Sequence, residues 1–153
     1  MIARFIRPLV VIILTIASLA CASLGTPYQA LPSVPEGKAL VYVYRPKSFV
    51  GAAISYTVHA GDAPVVKLVN GGYRTYVAEP GETEFWAKTE ARTSVTERLE
   101  AGRIYYLKGG VGVGLVAGRP KLSFVPAEQG QIEIASCRTV PEPAPESGVA
   151  AGK

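Results

Sequence analysis

The chain is poor in the residue types from which proteins build metal and nucleophilic centres. Its 153 residues include one histidine, one tryptophan and two cysteines. A structural zinc site takes four ligands, drawn mostly from Cys and His. We therefore expect no metal site, and no other cofactor is indicated.

Catalysis by a Ser–His–Asp triad would depend on His59, the one histidine. Ser55 and Asp62 are its candidate partners nearby in the sequence. Residues 53–59 alternate apolar and polar types, which predicts a strand with Ser55 and His59 on its solvent face. Each two-residue step along a strand covers about 7 Å, too far for a hydrogen bond between them. We expect a solvated histidine near a strand end and no catalytic residues.

Two other patterns resemble catalytic motifs but lack their context. Residues 112–117 read Gly-Val-Gly-Leu-Val-Ala, a formal match to the dinucleotide fingerprint, which must open a helix. Gly118 and Pro120 follow at once, so we expect a glycine-rich loop. Four carboxylates could pair as a glycosidase acid and base, but they alternate with basic residues and predict a mixed solvated face. These are Glu82, Glu84, Glu97 and Glu100. We expect a protein that is not an enzyme.

The N-terminal residues carry the clearest functional pattern. Arg4 and Arg7 precede the apolar run 9–20, which closes on small residues before Cys21. This order is typical of a signal peptide, and the run is shorter than the about 20 residues that a membrane-spanning helix needs. We predict lipidation of Cys21, since more than one acyl chain gives stable anchoring. Ser18 stands where a lipoprotein signal usually has leucine, so ordinary cleavage to a soluble secreted form stays open.

The residues after the cysteine bear on location. Neither Ala22 nor Ser23 is the aspartate that resembles an inner-membrane retention signal. We predict a lipid-anchored protein of the bacterial cell envelope, in the outer membrane and facing the periplasm. Of the 16 Lys and Arg residues, two lie in the leader, which leaves 14 against 12 acidic residues. This near balance does not call for nucleic acid as a partner. Cys137 is expected to be a small buried hydrophobe; without lipidation, a disulfide to Cys21 is conceivable.

The chain divides into one folded domain and two unstructured ends. Residues 1–20 are the predicted signal peptide, and 21–36 hold the lipidated cysteine and a proline-rich flexible tether. Residues 37–140 form the domain, and the Pro/Ala/Gly-rich tail 141–153 is predicted to be disordered. A tether of about 15 residues spans roughly 20 Å as a coil, so the domain would float near the membrane.

Short strand-like runs separated by turn signals predict an all-β fold, a single small antiparallel β-sandwich of about 7–8 strands. Residues 39–45 are apolar on both faces, which predicts a central strand. Asn70-Gly71 is a strong hairpin signal, and residues 131–138 fit either a strand or a short C-terminal helix. The other predicted strands are 53–59, 65–69, 73–78, 83–88, 93–100, 104–108 and 122–125, with a glycine-rich loop or edge at 109–118.

Tyrosine is the most frequent aromatic residue, with eight copies. Strands favour aromatic side chains, so we expect most of them to pack in the core or across strands, and Trp86 to fill the core. Tyr105 and Tyr106 must point to opposite faces, so one should approach the surface. Exposed tyrosines with basic neighbours would suit a sugar or a peptide. The loop 49–51 could present an apolar tip to a partner.

A further block, residues 37–53, reads Gly-Lys-Ala-Leu-Val-Tyr-Val-Tyr-Arg-Pro-Lys-Ser-Phe-Val-Gly-Ala-Ala. With Asn70-Gly-Gly-Tyr, Glu79-Pro-Gly-Glu and Leu99-Glu-Ala-Gly-Arg-Ile-Tyr-Tyr, it resembles the DUF2846 family of small bacterial envelope proteins over residues 37–138. The Pro-Gly turn pattern is shared with PEGA-like and transthyretin-like sandwiches. The resemblance implies a small β-sandwich on a lipoprotein tether, with a helix around Pro126. It implies no established activity and no catalytic residues.

Two functions fit these expectations. The first is a non-enzymatic binding or structural module, held at the membrane by its lipid and associated with another envelope protein. The second is a periplasmic domain that binds cell-wall glycan or a small molecule. Small sandwiches have unpaired sheet edges that can accept a partner strand, which favours the first.

Overall fold

The computed structural model describes residues 24–114 and 118–141. Within them the chain forms nine strands and one helix. The strands are β1 (Ala39–Tyr44), β2 (Tyr56–Ala60), β3 (Ala63–Leu68), β4 (Gly72–Ala78), β5 (Gly81–Lys88), β6 (Arg92–Leu99), β7 (Ile104–Gly112), β8 (Arg119–Val125) and β9 (Arg138–Thr139). The helix, α1 (Ala127–Ile134), lies between β8 and β9. The predicted signal peptide, Cys21 and the tail after Pro141 lie outside the described residues.

The strands form two sheets that share one core. The first sheet has the order β8-β7-β1-β4-β9, and the second has the order β3-β2-β5-β6. The predicted all-β sandwich with a short C-terminal helix is confirmed. Two pairs in the first sheet, β1 with β7 and β4 with β9, run parallel, where we expected antiparallel pairing. Parallel neighbours need a long connection, and the chain between β1 and β7 supplies it by building the second sheet on the way.

The central strand β1 is buried on both faces, as its apolar sequence predicts. Val41 and Val43 belong to the core between the sheets, together with Phe85. Leu40 and Tyr42 belong to a second cluster on the opposite face. Each large apolar side chain that is fully buried contributes about 1.5–3 kcal/mol to stability. Side chains on both faces of β1 therefore stabilise this strand.

The second cluster is a layer of tyrosines on the outer face of the first sheet. Tyr42 stacks on Tyr106 with ring centroids 5.4 Å apart, and α1 covers the layer with the buried side chain of Ile134. The segment before β1 covers the rest. Its Tyr28 ring meets Tyr42 and Tyr73 edge-on, at centroid distances of 5.5 and 5.3 Å, a favourable aromatic geometry.

From Leu24 onward the segment before β1 is therefore part of the domain, which corrects the flexible tether predicted at 21–36 for the described residues 24–36. The amide of Gly25 donates to the carbonyl of Thr139 at 2.8 Å. The amide of Leu31 donates to the hydroxyl of Tyr42 at 2.9 Å. The proline-rich composition indicated a coil because the segment has no period of its own; its order comes from residues distant in the sequence.

β7 runs on to Gly112, into the stretch predicted as a glycine-rich loop or edge. The glycines allow a close approach to the second sheet. A Cβ atom on Gly109 would meet the side chain of Leu68 and lie 2.7 Å from the hydroxyl of Tyr56. Residues 115–117 of the formal dinucleotide pattern lie outside the described range.

Trp86 does not fill the core, contrary to the expectation from sequence. Phe85 and Ala87 are the buried residues of β5, and strand alternation then places Trp86 on the opposite face. There the indole stacks on the His59 ring at a centroid distance of 4.0 Å, and its Nε1 donates to the carbonyl of Gly61 at 2.7 Å.

Candidate functional site at the loop end

Several strand ends meet at one end of the sandwich, which we call the loop end: the loop 45–55, the turn 69–71 and the end of β7. The strand β1 ends there with Tyr44 paired to Lys108, and its parallel neighbour β7 continues to Gly112. Binding residues are found disproportionately on loops positioned by a rigid scaffold. The loop end is therefore the strongest candidate for a functional site.

The loop 45–55 is held by a buried arginine. Arg45 is 1% exposed, and its two terminal nitrogens donate to the carbonyls of Ile54 and Gly51, each at 2.6 Å. Burial lowers the pKa of Arg45, and the guanidinium carbon lies 6.0 Å from the ring centroid of Tyr56. The Nε atom has no hydrogen-bond partner among the described atoms. The cation thus closes the loop on itself.

The closed loop presents the predicted apolar tip. The side chain of Phe49 is fully exposed, and Val50 is more than half exposed. Gly51 turns the chain with a φ of +69°, a value that glycine adopts without strain. Asn70 fixes the base of the loop: its side-chain oxygen accepts from the Ser48 amide at 2.9 Å, and its side-chain nitrogen donates to the Ser48 carbonyl at 3.0 Å.

A cleft of about 300 Å³ opens beside this loop, and we call it the basic cleft. One wall is formed by residues 45–48 and the other by the glycine-rich end of β7. Lys47, Lys108 and Lys121 line it together with a single carboxylate, that of Glu133. Cations outnumber anions in the lining, so the cleft suits an anionic group.

Glu133 is held as an anion by its neighbours. Its carboxylate accepts from Lys108 at 2.6 Å, from the Tyr44 hydroxyl at 2.6 Å and from Gln129 at 3.0 Å. Burial opposes ionisation, but these hydrogen bonds outweigh it and lower the pKa of Glu133. Burial, and then the bond to Glu133, raise the pKa of Tyr44 above its ordinary value. The helix is thus connected to the floor of the basic cleft.

A second concavity, the edge groove, lies beside β9 and has a volume of about 660 Å³. It is bounded by residues 29–32, the start of β4 and Val140. Gln29 and Thr75 contribute polar groups, Arg74 a guanidinium and Leu31 an apolar side chain. The mixture of polar and apolar groups suits a polar ligand with an apolar face.

The structure does not assemble the triad considered above. The His59 and Trp86 ring planes lie 7° apart, and Ser55 and Asp62 lie before and after β2, outside the strand. His59 is half-buried, which corrects the solvated histidine that we expected. Its Nδ1 is buried without a partner among the described atoms, so the structure brings neither candidate partner to this ring.

Three of the four carboxylates belong to a mixed charged face, as predicted. Glu84 pairs with Arg92 at 3.2 Å, Glu100 pairs with Arg103 at 2.9 Å, and Glu82 lies opposite Arg98 on the same face as Glu84. Glu97 lies opposite Thr83 and is half-buried on the core-facing side of β6, with Val95, which corrects the solvated position expected for it. Across residues 24–114 and 118–141, no group of three or more His, Cys, Asp or Glu side chains could hold a metal ion. No helix in that same part of the chain is long and apolar enough to cross a membrane.

The predictions for the remaining tyrosines and for Cys137 are confirmed. Tyr106 is buried, and Tyr105 is half-buried on the other face of β7. Cys137 is 1% exposed, and burial raises the pKa of its thiol to about 11. Its Sγ lies 3.6 Å from the carbonyl oxygen of Arg45, which places the cysteine directly behind the loop end.

The fold and the loop end define a small two-sheet β-sandwich protein with a basic cleft and an apolar loop tip. More particularly, the chain belongs to a family described as a protein of unknown function, DUF2846, whose model matches residues 35–116. This confirms the resemblance noted in the sequence. The match runs from just before β1 to just beyond β7, so β8, α1 and β9 lie outside it. None of the curated proteins matches the chain.

Sequence reasoning missed Arg45 and Glu133 as residues of the site. Arg45 ends an apolar strand and precedes a proline, which reads as an ordinary exposed strand end. Glu133 lies in a weakly patterned stretch whose helix faces the sheet only in the folded protein. The signal available in the sequence is the apolar run Ala39–Tyr44, which leads directly into Arg45.

Proposed function

We propose that the protein is an exported, lipid-anchored envelope protein whose β-sandwich is a non-catalytic binding or structural domain. The observation that carries the proposal is the order of residues before the fold. Arg4, Arg7 and the apolar run 9–20 lead to Cys21, and Gly25, near the start of the described residues, is hydrogen-bonded to the sandwich. A lipidated cysteine there would attach the folded domain to a membrane.

The non-catalytic part of the proposal is supported by how the chemistry-bearing side chains are used. His59 stacks on an indole, and Glu84, Glu100 and Glu133 are engaged in ion pairs. Catalytic acids and bases need a positioned partner and a pKa near the working pH. The groups just named serve packing and charge pairing instead.

Metabolic labelling with a radioactive fatty acid tests the anchor. Wild-type protein should carry the label, Cys21→Ser should lose it, and Cys137→Ser is the matched control because it alters the other cysteine. Absence of label on the wild type, or equal labelling of Cys21→Ser, would refute lipidation. Cross-linking in intact cells then tests for an envelope protein partner, and consistent recovery of a free monomer would contradict that role.

A second candidate is the periplasmic binding of cell-wall glycan, which the edge groove favours. Its volume and its mixture of hydroxyl, amide, guanidinium and apolar groups suit a glycan. A specific ligand raises the melting temperature by mass action, so thermal shifts with oligosaccharides and muropeptides check it. Thr75→Trp should fill the groove and abolish a genuine shift. No shift at millimolar ligand would remove this candidate.

A further inference from the structure

The exposed apolar side chains at the loop end form one group. Phe49 and Val50 project from the tip of the loop 45–55, and Val113 is exposed just beyond the end of β7. The loop packs against the end of β7, because a Cβ atom on Gly51 would lie 2.7 Å from the side chain of Val111, two residues before Val113. An apolar patch rimmed by polar residues marks an interaction surface more often than chance exposure does.

Free cations flank this apolar tip. Lys47 and Lys121 line the basic cleft directly below it. Within the described residues neither forms an ion pair, whereas Lys108 is neutralised by Glu133 at 2.6 Å. The loop end therefore offers positive charge beside apolar side chains.

The opposite end of the sandwich has different chemistry. Its turns carry Asp62 between β2 and β3, Glu79 between β4 and β5, and Glu100 between β6 and β7. Glu79 and Glu100 are paired with Lys38 and Arg103, so charges nearly balance at this end. An anionic surface would therefore attract the loop end, with its unpaired lysines, more strongly than this end. The charges thus give the domain an orientation in front of such a surface.

The attachment point lies close to the loop end. Gly25 is bonded to Thr139, which pairs with Tyr73, and Tyr73 pairs in turn with Tyr44 at the end of β1. Gly25 is thus level with the last residue of β1. The four residues from Cys21 to Gly25 span at most about 14 Å even when fully extended. An anchored Cys21 would hold the bilayer surface within that distance of Gly25, where a flexible tether would have left the domain free.

From these observations, and resting on the lipid anchor proposed above, we infer that the loop end is a membrane-contacting surface. Phe49, Val50 and Val113 enter the headgroup region of the bilayer in which Cys21 is anchored, and Lys47 and Lys121 contact anionic phospholipid headgroups. The lipid supplies stable attachment, and the apolar tip with its cations sets which way the domain faces. The opposite end of the sandwich then stays open to the aqueous side.

Site-specific fluorescence on the full lipidated chain tests this orientation. The variants Phe49→Cys and Val113→Cys are each labelled with an environment-sensitive fluorophore; the anchor occupies Cys21, and Cys137 is buried. The protein is reconstituted into vesicles of phosphatidylethanolamine and phosphatidylglycerol, with and without brominated lipid as quencher. Ile104→Cys, at a partly exposed apolar residue of the opposite end, is the matched control, and Leu31→Cys reports on the edge groove.

The inference expects blue-shifted emission and strong quenching at positions 49 and 113, and neither at 104. Quenching at 31 or 104 without quenching at 49 would overturn it, and so would the absence of quenching at every position. In both cases fatty-acid labelling of Cys21 would show the anchor itself to be intact. Absence of that labelling would refute the proposed function, and the orientation with it.

A second arm separates charge from apolar insertion. A lysine near an anionic surface changes the bound population about five-fold, so Lys47→Gln with Lys121→Gln should lower quenching at 49 clearly. The same pair should have little effect in vesicles of phosphatidylcholine alone. Equal quenching of wild type and variant on the anionic vesicles would contradict the assigned headgroup contact.

Discussion

Gly130 is the position where a one-carbon change should disturb the fold most clearly. It lies in the middle of α1, and a Cβ atom there would come within 2.5 Å of both Cβ and Cδ1 of Tyr106. Replacing glycine by alanine inside a helix ordinarily stabilises it by about 1 kcal/mol. Overpacking a filled core costs typically about 1–3 kcal/mol, and the high end applies because Tyr42 stacks against Tyr106 and blocks its retreat.

The clash should therefore win, and Gly130→Ala should lower the free energy of unfolding by about 2 kcal/mol. That corresponds to a fall of roughly 10 °C in Tm for a domain of this size, measurable by circular dichroism. Gln131→Ala, an exposed helical neighbour, is the control and should change Tm by less than about 2 °C. When Tyr106 is already replaced by alanine, Gly130→Ala should lose most of its destabilising effect. A double-mutant cycle of Gly130→Ala and Tyr106→Ala should therefore report a large coupling energy. An unchanged or raised Tm for Gly130→Ala would refute the close packing of α1 on the sheet.

Three further predictions concern the loop end. Arg45→Met loses two charge-assisted hydrogen bonds of about 1.5–3 kcal/mol each, a loss that is partly offset because a buried charge is removed. We expect the free energy of unfolding to fall by about 2 kcal/mol and the amides of residues 51–54 to exchange faster. Lys47→Met is the control and should stay close to wild type. The pKa of Glu133 is lowered in the folded state. Its contribution to the stability of the fold is therefore fully present above the unfolded pKa of about 4.3 and is lost as the pH falls through the pKa of the folded state. Urea midpoints should therefore drop more steeply in acid for wild type than for Glu133→Gln, and parallel curves would contradict the ion pair. With a thiol pKa of about 11 and 1% exposure, Cys137 should not react with a disulfide reagent at neutral pH until urea unfolds the chain; rapid reaction of native protein would contradict its burial.

Local sequence patterns predict some parts of this architecture and not others. The run from Ala39 to Tyr44 predicts a doubly buried strand because both of its faces are apolar, and the structure confirms it. The hairpin predicted at Asn70-Gly71 is wrong, because this turn connects β3 of the second sheet to β4 of the first, and the two strands do not pair. The choice between Phe85 and Trp86 for the core depends on strand parity, which local hydrophobicity does not determine. The parallel pairing of β1 with β7 is a property of the whole chain path.

The candidate site was less predictable than the fold. The apolar tip at Phe49 could be inferred, since it interrupts a turn-rich stretch with exposed hydrophobic residues. The basic cleft could not, because Lys47, Lys121 and Glu133 come from three separate elements that only tertiary packing brings together. The role of Arg45 could not be predicted for a related reason. Its partners are backbone carbonyls, and side-chain patterns in the sequence do not indicate which carbonyls will be near.

The tyrosine layer determines how far an anchored Cys21 can lie from the domain. Tyr28 makes two edge-on ring contacts, each worth about 0.5–1.5 kcal/mol, and the segment adds the backbone bond at Gly25 and the bond from Leu31 to Tyr42. Releasing the segment would also expose part of a buried aromatic cluster. A cost of a few kcal/mol keeps the segment docked nearly all the time, since 1.4 kcal/mol is already a tenfold preference. The distance between an anchored Cys21 and the domain is then limited by this packing on the outer face of the first sheet. The described part of the predicted tether belongs to the folded domain.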